Sequence, residues 1–194
     1  MKLAKPADIE LWVRFKNGDN KALTYIYSEN SPKLYRYGLK LTSNYSIVED
    51  VIHDLFSDLI NSRKNLGDTN NILFYLLKSF KRRLQRKLQK EVRYNLFNNN
   101  EGYVFEITYS IEQTIILEEK SNQKMNSLYN ALNNLTPRQK EAIYLRFTEG
   151  LEYEEISEMM EMGIEGCRNL IYKAIKSLKK SIQGKKSLVL FFLQ

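Results

Sequence analysis

Between Ile47 and Leu59 the apolar residues Val48, Val51, Ile52, Leu55, Phe56 and Leu59 recur at intervals of three and four. That spacing lines one face of a helix, whereas a strand would alternate every second residue. The same period returns at Leu73, Leu76, Leu77, Phe80, Leu84 and Leu88. No stretch alternates over a useful length, and there is no internal repeat. With only 3 prolines and 8 glycines in 194 residues, long helices meet few breakers. The expected fold class is all-α, as small helical domains.

Local signals divide the helices. A first helix is expected over Ile9–Lys16, ended by Gly18, with Asp19 capping a second from Asn20 to about Ser28. Asn30-Ser31-Pro32 reads as a break, with Pro32 in the first turn of a third helix reaching Leu41. Ser46-Ile47-Val48-Glu49 has the form of a capping box and starts the next helix. Ser62 to Asn71 reads as a loop before a long helix over Ile72–Val92. Helical periodicity fails from Tyr94 to Tyr109, where Asn98-Asn99-Asn100 and Glu101-Gly102 suggest a flexible tether. Ser110 and Gln113 form a second candidate box. Thr136-Pro137-Arg138-Gln139 combines a cap, Pro at the first helical position and Gln at the third, and Gly150 ends that helix. A short helix over Tyr153–Met160, a turn at Glu161-Met162-Gly163 and a last helix from Ile164 to about Ile182 follow.

Charge is unevenly placed. Residues 1–95 hold 18 basic and 10 acidic side chains, a net +8; residues 96–124 hold 2 and 5, net −3; residues 125–194 hold 10 and 8, net +2. The basic excess concentrates at Lys78, Lys81, Arg82, Arg83, Arg86, Lys87, Lys90 and Arg93, against Glu91 alone. Spacings of four place Lys78, Arg82, Arg86 and Lys90 on a common stripe, and Phe74 and Tyr75 nearby are suited to stacking on unpaired bases. A solvated charged surface over core aromatics is the plainer reading of such a run, but so little compensating acid favours nucleic acid.

The strongest motif is Gly150 to Lys180: two helices joined by a tight turn, the pattern of a helix-turn-helix. Ile156, Met159 and Met162 are expected to pack on Ile164, Cys167, Leu170, Ile171 and Ala174. This leaves Glu165, Arg168, Asn169, Tyr172, Lys173 and Lys176 outward. Arg and Asn suit base edges, and lysines suit phosphates. An αα-hairpin with a solvated face is the alternative. Glu49, Asp50, His53, Asp54 and Asp58 mark the polar face of the earlier helix. Asp50-x-x-His53 does not make a metal site, because a second His-bearing helix is needed and His53 is the sole histidine. Cys167 is the sole cysteine, so no intrachain disulfide and no Cys/His zinc site is expected. No phosphate-cradling loop or catalytic constellation is present, so neither an enzyme nor a cofactor is expected. The charged first ten residues do not resemble a signal peptide, and the apolar run Leu188–Leu193 is too short to span a bilayer, so the expected compartment is the cytoplasm.

The run Leu135 to Ile156 (LTPRQKEAIYLRFTEGLEYEEI), continued by Cys167 to Leu178 (CRNLIYKAIKSL), resembles the C-terminal domain of sigma factors. Ser46 to Phe56 (SIVEDVIHDLF) resembles their polymerase-docking helix, and Asn71 to Leu84 (NILFYLLKSFKRRL) their −10-reading helix. The blocks occur in the family's order over about residues 8–182, and the two-domain plan is similar to that of the extracytoplasmic-function (ECF) subgroup of the sigma-70 family. The resemblance implies sigma domain 2 over 8–95, a linker over 96–110, sigma domain 4 over 111–182 and a tail over 183–194.

By that resemblance Asp50, His53 and Phe56 match positions that contact the polymerase. Asn71, Tyr75, Lys78, Lys81 and Arg82 match the part that melts and holds the −10 strand. Tyr153, Glu154, Arg168, Asn169, Tyr172 and Lys173 match the −35 surface. The implied partners are core RNA polymerase (β′ clamp and β flap), promoter DNA and an anti-sigma factor, which the apolar tail could also meet. The sequence departs from the family pattern at His53 (usually Gln), Arg82 (commonly Asn), Glu152 (a Ser cap), Glu161 (a turn Gly) and Gly166 (Thr). A free-standing helix-turn-helix regulator would explain residues 135–182 but leave the docking and Arg-rich helices without a role. A helical metal hydrolase would lack its ligands.

Overall fold

Asp19 opens the second helix of the computed structural model, which describes residues 6–94, 105–106 and 130–181. Its carboxylate accepts from the backbone N–H groups of Lys21 and Ala22, occupying donors left without partners in the first turn. A hydrogen bond from Arg14, followed by these backbone donors, holds the Asp19 carboxyl below the usual carboxylate range. Gly18, at φ 91°, makes the turn from the preceding helix.

The described residues are helical, with no strand among them. The chain divides into two compact units, residues 1–101 and 102–194. In the first unit, α1 (Pro6–Lys16) leans on α2 (Asn20–Leu41), and α2, α3 (Tyr45–Ser62) and α4 (Ile72–Tyr94) pack against one another. A 3₁₀ turn over Arg63–Asn65 ends α3.

The predicted stripe of α3 is buried along its whole length, from Val48 to Leu59. On α4, Leu76, Leu77, Phe80 and Leu84 are fully enclosed, while Leu73 and Leu88 sit half-buried at its margin. Each enclosed leucine contributes about 1.5–3 kcal/mol relative to exposure. Gly38 lies where α2, α3 and α4 meet. A Cβ there would stand 2.8 Å from Phe80 Cζ and 2.8 Å from Val48 Cγ1, so the absent side chain permits the close approach.

Two expectations fail in this unit. No break occurs at Asn30-Ser31-Pro32; α2 runs unbroken through Pro32. Proline inside a helix removes one hydrogen bond, at a cost of about 3 kcal/mol. Pro32 and Ser28 are exposed, so the carbonyl that loses its donor faces water, while Ile26, Leu34 and Tyr37 hold the opposite face in the core. Buried Asn30 adds a bond from Nδ2 to the Ile26 carbonyl at 2.7 Å. Nor does Ser46 cap α3. Asn44, in extended conformation, accepts from Ile47 N at 3.2 Å, and Ser46 is already helical and exposed.

In the second unit a helical turn at 130–133 precedes α5 (Pro137–Ile143). The Thr136–Gln139 box forms reciprocally: Gln139 N donates to Thr136 Oγ1 at 3.3 Å, and Thr136 N to Gln139 Oε1 at 3.0 Å. The helix does not run evenly to Gly150. It widens into a π turn over Tyr144–Thr148, with Glu149 N reaching back to Tyr144 O, and Gly150 then reverses the chain at φ 71°. Then come α6 (Tyr153–Met159) and α7 (Ile164–Ser181). Phe105, in the stretch read as a tether, is buried in this unit with its ring 5.8 Å from that of Tyr144. The Asn98–Gly102 segment, the Ser110–Gln113 box and the apolar tail lie outside the described residues.

Candidate nucleic-acid interface

The turn between α6 and α7 fixes the second unit's exposed helix. Glu161 adopts φ 52°, the left-handed region that glycine fills most readily. Ile156, Met159, Met160, Cys167, Ile171 and Ala174 are buried between the two helices. Met162 and Leu170 are only half-buried, and Ile164 is 40% exposed, so the predicted core loses one member at the start of α7.

Glu165, Arg168, Asn169, Tyr172, Lys173 and Lys176 are all exposed on α7. Arg168 is held on several sides. Nη1 donates to Glu165 Oε1 at 2.6 Å, Nη2 lies 3.8 Å from Glu154 Oε1, and the guanidinium stands 5.7 Å from the Tyr153 ring centre. The same ring carries Arg146 at 4.8 Å. The π turn directs Arg146 onto the start of α6, where Nη1 donates to Leu151 O at 2.7 Å and Glu152 Oε2 at 2.9 Å. Glu155 Oε2 accepts from Glu152 N at 2.8 Å, the N3 half of a capping box at the start of α6. Tyr153 and Glu154 therefore sit beside Arg168, half-buried and exposed respectively. Arg146 escaped the sequence reading because its link to Tyr153 depends on the π turn, which no local signal announces. Cys167, under this face, has its thiol pushed up by burial and secondarily by Glu154.

In the first unit, α4 carries Arg82, Arg86 and Lys90 exposed along one stripe, with half-buried Lys78 at its head, 5.9 Å above the Phe74 ring. The basic run is divided by α3. Arg83 pairs with Asp58 at 2.6 Å and Lys87 with Asp50 at 2.9 Å. Lys81 is only 6% exposed, its position on α4 turning inward beside Leu77 and Leu84. Asn71 caps α4, its Oδ1 accepting from Phe74 N at 3.0 Å. Tyr75 packs at 5.0 Å from Trp12, and burial raises its hydroxyl pKa. Trp12, Asn70, Phe74, Tyr75, Lys78 and Arg82 help line an open cleft of about 820 Å³. Trp12 was missed by sequence reading, because its partners at the cleft, Gly67 and Tyr75, lie more than fifty residues away.

On α3, Asp50 and His53 are exposed, and Asp50 is shared with Lys87. Phe56 is 4% exposed, with its ring edge-on to Tyr27 at 4.8 Å. It belongs to the apolar stripe that faces α2. No cluster of three potential metal ligands occurs among the described residues, and no described helix is long and apolar enough to cross a membrane.

Residues 125–178 match the family Sigma-70, region 4. The chain is 25% identical over 175 residues to the ECF RNA polymerase sigma factor BldN of Streptomyces coelicolor; the match covers 89% of this chain and 64% of that protein. Two solved structures share its fold. One is the sigma factor RpoE with the anti-sigma factor NepR from Bartonella quintana, at TM-score 0.59 and 16% identity, covering 86% of this chain and 99% of that one. The other is CnrH with the cytosolic domain of CnrY, at TM-score 0.55 and 13% identity, covering 93% and 99%.

Proposed function

We propose that this chain, a sigma-70 family protein of the ECF group, binds core RNA polymerase and directs it to promoters. The observation that carries the proposal is the exposed set Arg168, Asn169, Tyr172 and Lys173 on the second helix of a helix-turn-helix, within the segment that matches region 4. In this reading α7 enters the major groove of the −35 element, Arg168 and Asn169 read base edges, and Lys173 and Tyr172 engage the backbone. Tyr153 and Glu154 set the approach of Arg168.

The first unit supplies the other half. Asp50 and His53 on α3 form the polymerase-docking face, with Phe56 supporting it from beneath. Asn71, Tyr75, Lys78 and Arg82 receive the melted −10 strand, combining phosphate neutralisation with stacking. Lys81 supports this surface from the core side. The proposed domains span 8–95 and 111–182, joined by 96–110. The chain is a regulatory subunit without an active site of its own, and an anti-sigma protein is a further proposed partner, by analogy with the two solved relatives.

The test is reconstitution. Core polymerase with the purified chain should transcribe selected fragments of a random-sequence DNA library that core alone ignores. Binding of duplex DNA without any association with polymerase would favour the free-standing regulator instead.

A further inference from the structure

Asp8, Trp12 and Lys16 stand four residues apart on α1, and each grips a different point of the loop between α3 and α4. Asp8 Oδ2 accepts from Ile72 N, the first amide of α4, at 3.1 Å. Trp12 Nε1 donates to Gly67 O at 2.9 Å. Lys16 pairs with Asp68. Between these anchors Thr69 Oγ1 exchanges hydrogen bonds with Asn71, and Asn71 caps α4. Residues four and eight apart on a helix share a face, so one stripe of α1 presents all three groups together.

We propose that α1 is a positioning element for the downstream DNA surface: Asp8, Trp12 and Lys16 set the conformation of residues 67–72 and so help decide which −10 sequences are accepted. This rests on the reading of that loop and α4 as the −10 surface. The loop carries exposed Asn70, which helps line the cleft, and α1 holds the loop at Gly67, Asp68 and Ile72 through these contacts. A short polar loop left loose would lose conformational freedom on each encounter with DNA. Anchoring it beforehand removes that cost and narrows the sequences it fits. Trp12, 1% exposed and 5.0 Å from Tyr75, also forms part of the cleft wall, so its hydrogen bond couples loop and wall. Asp8 and Lys16 act without lining the cleft.

The experiment uses the full chain with core polymerase. A promoter is first enriched by wild-type holoenzyme from a random library, and single-base variants of its downstream element serve as probes. Lys16→Asp, Asp68→Lys, their combination and Trp12→Phe are compared by permanganate reactivity of the opened strand and by transcription from each probe. Lys16→Asp should lower opening about three- to tenfold, since an ion pair becomes a repulsion, and should change the preference at a downstream base while upstream preference stays fixed. The double charge exchange should restore both to within about twofold. Trp12→Phe, which keeps a ring and removes the donor, should shift the same base preference. Unchanged opening and preference in Lys16→Asp, or equal losses in the single and exchanged variants, would overturn the assignment. Lys78→Ala with Arg82→Ala separates the two levels. If that pair opens promoters normally, the −10 reading itself falls; if it fails to open them and Lys16→Asp behaves as wild type, only the role of α1 falls.

Discussion

Arg168 donates to Glu165 at 2.6 Å, three residues earlier on the same exposed helix face. In the free protein the side chain proposed to read a base is thus already paired with a carboxylate, and Glu154 lies on its other side at 3.8 Å. DNA must compete with these acids. Both partners are largely exposed, so the pair is screened and the competition is mild.

Glu165→Gln should therefore raise affinity for duplex DNA by about two- to fivefold on matched and scrambled sequences, because it removes one repulsive charge, with the larger gain on the matched one because it also releases Arg168. A fluorescence anisotropy titration over matched and scrambled duplexes measures this. A gain confined to one sequence would contradict the electrostatic part of this brake.

Arg168→Ala should cost about 1–3 kcal/mol on the preferred −35 element and relax selection at one or two positions. Lys176→Ala should weaken all sequences equally and flatten the salt dependence. Holoenzyme transcription from single-base variants separates the two. A uniform loss with Arg168→Ala would make its role electrostatic.

Asp50→Arg and His53→Ala should reduce co-purification with core polymerase while leaving thermal unfolding within about 1 kcal/mol of wild type, as both side chains are exposed. Phe56→Ala should instead destabilise the chain by about 3–5 kcal/mol, having lost its packing with Tyr27. Undiminished polymerase binding by both polar variants would remove docking from this face.

Two glycine exchanges test the backbone. Glu161→Gly relieves a left-handed φ and should stabilise the helix-turn-helix by up to about 1 kcal/mol. Gly38→Ala places a methyl against Phe80 and Val48 and should destabilise by about 1–3 kcal/mol. Thermal melting of the full chain reads both, and opposite signs from those given would contradict the packing described.

Cys167 should resist alkylation at neutral pH, since burial and the nearby Glu154 keep its thiol protonated. The sign follows from the raised value: the protonated form is favoured in the fold, so this contribution to stability is present below the thiol's ordinary pKa and is lost as the pH rises through the raised one. Reaction with a thiol reagent should accelerate sharply on denaturation. Rapid labelling of the native chain would show that the helices open readily.

What the sequence determined by itself was local. The three-and-four period of α3 and α4, the Asp19 cap, the Thr136–Gln139 box and the outward face of α7 all depend on neighbours within about one or two helical turns, where geometry is fixed by the helix itself. Most of the proposed DNA surface was legible for the same reason: Lys78, Arg82, Arg168 and Lys173 fall off the apolar stripes. The tertiary structure decided the rest. Whether Lys81 lies in or out depends on what stands across from α4, and Phe56 meets Tyr27 only because α2 crosses α3. Asp50 and Lys87 pair across 37 residues of sequence. Pro32 reads as a break, yet one lost hydrogen bond on a wet face is outweighed by the core on the other. The grip of Asp8, Trp12 and Lys16 on the loop spans 52 to 64 residues and leaves no periodic trace. Such contacts are set by the packing of whole helices, and no window of sequence contains both partners.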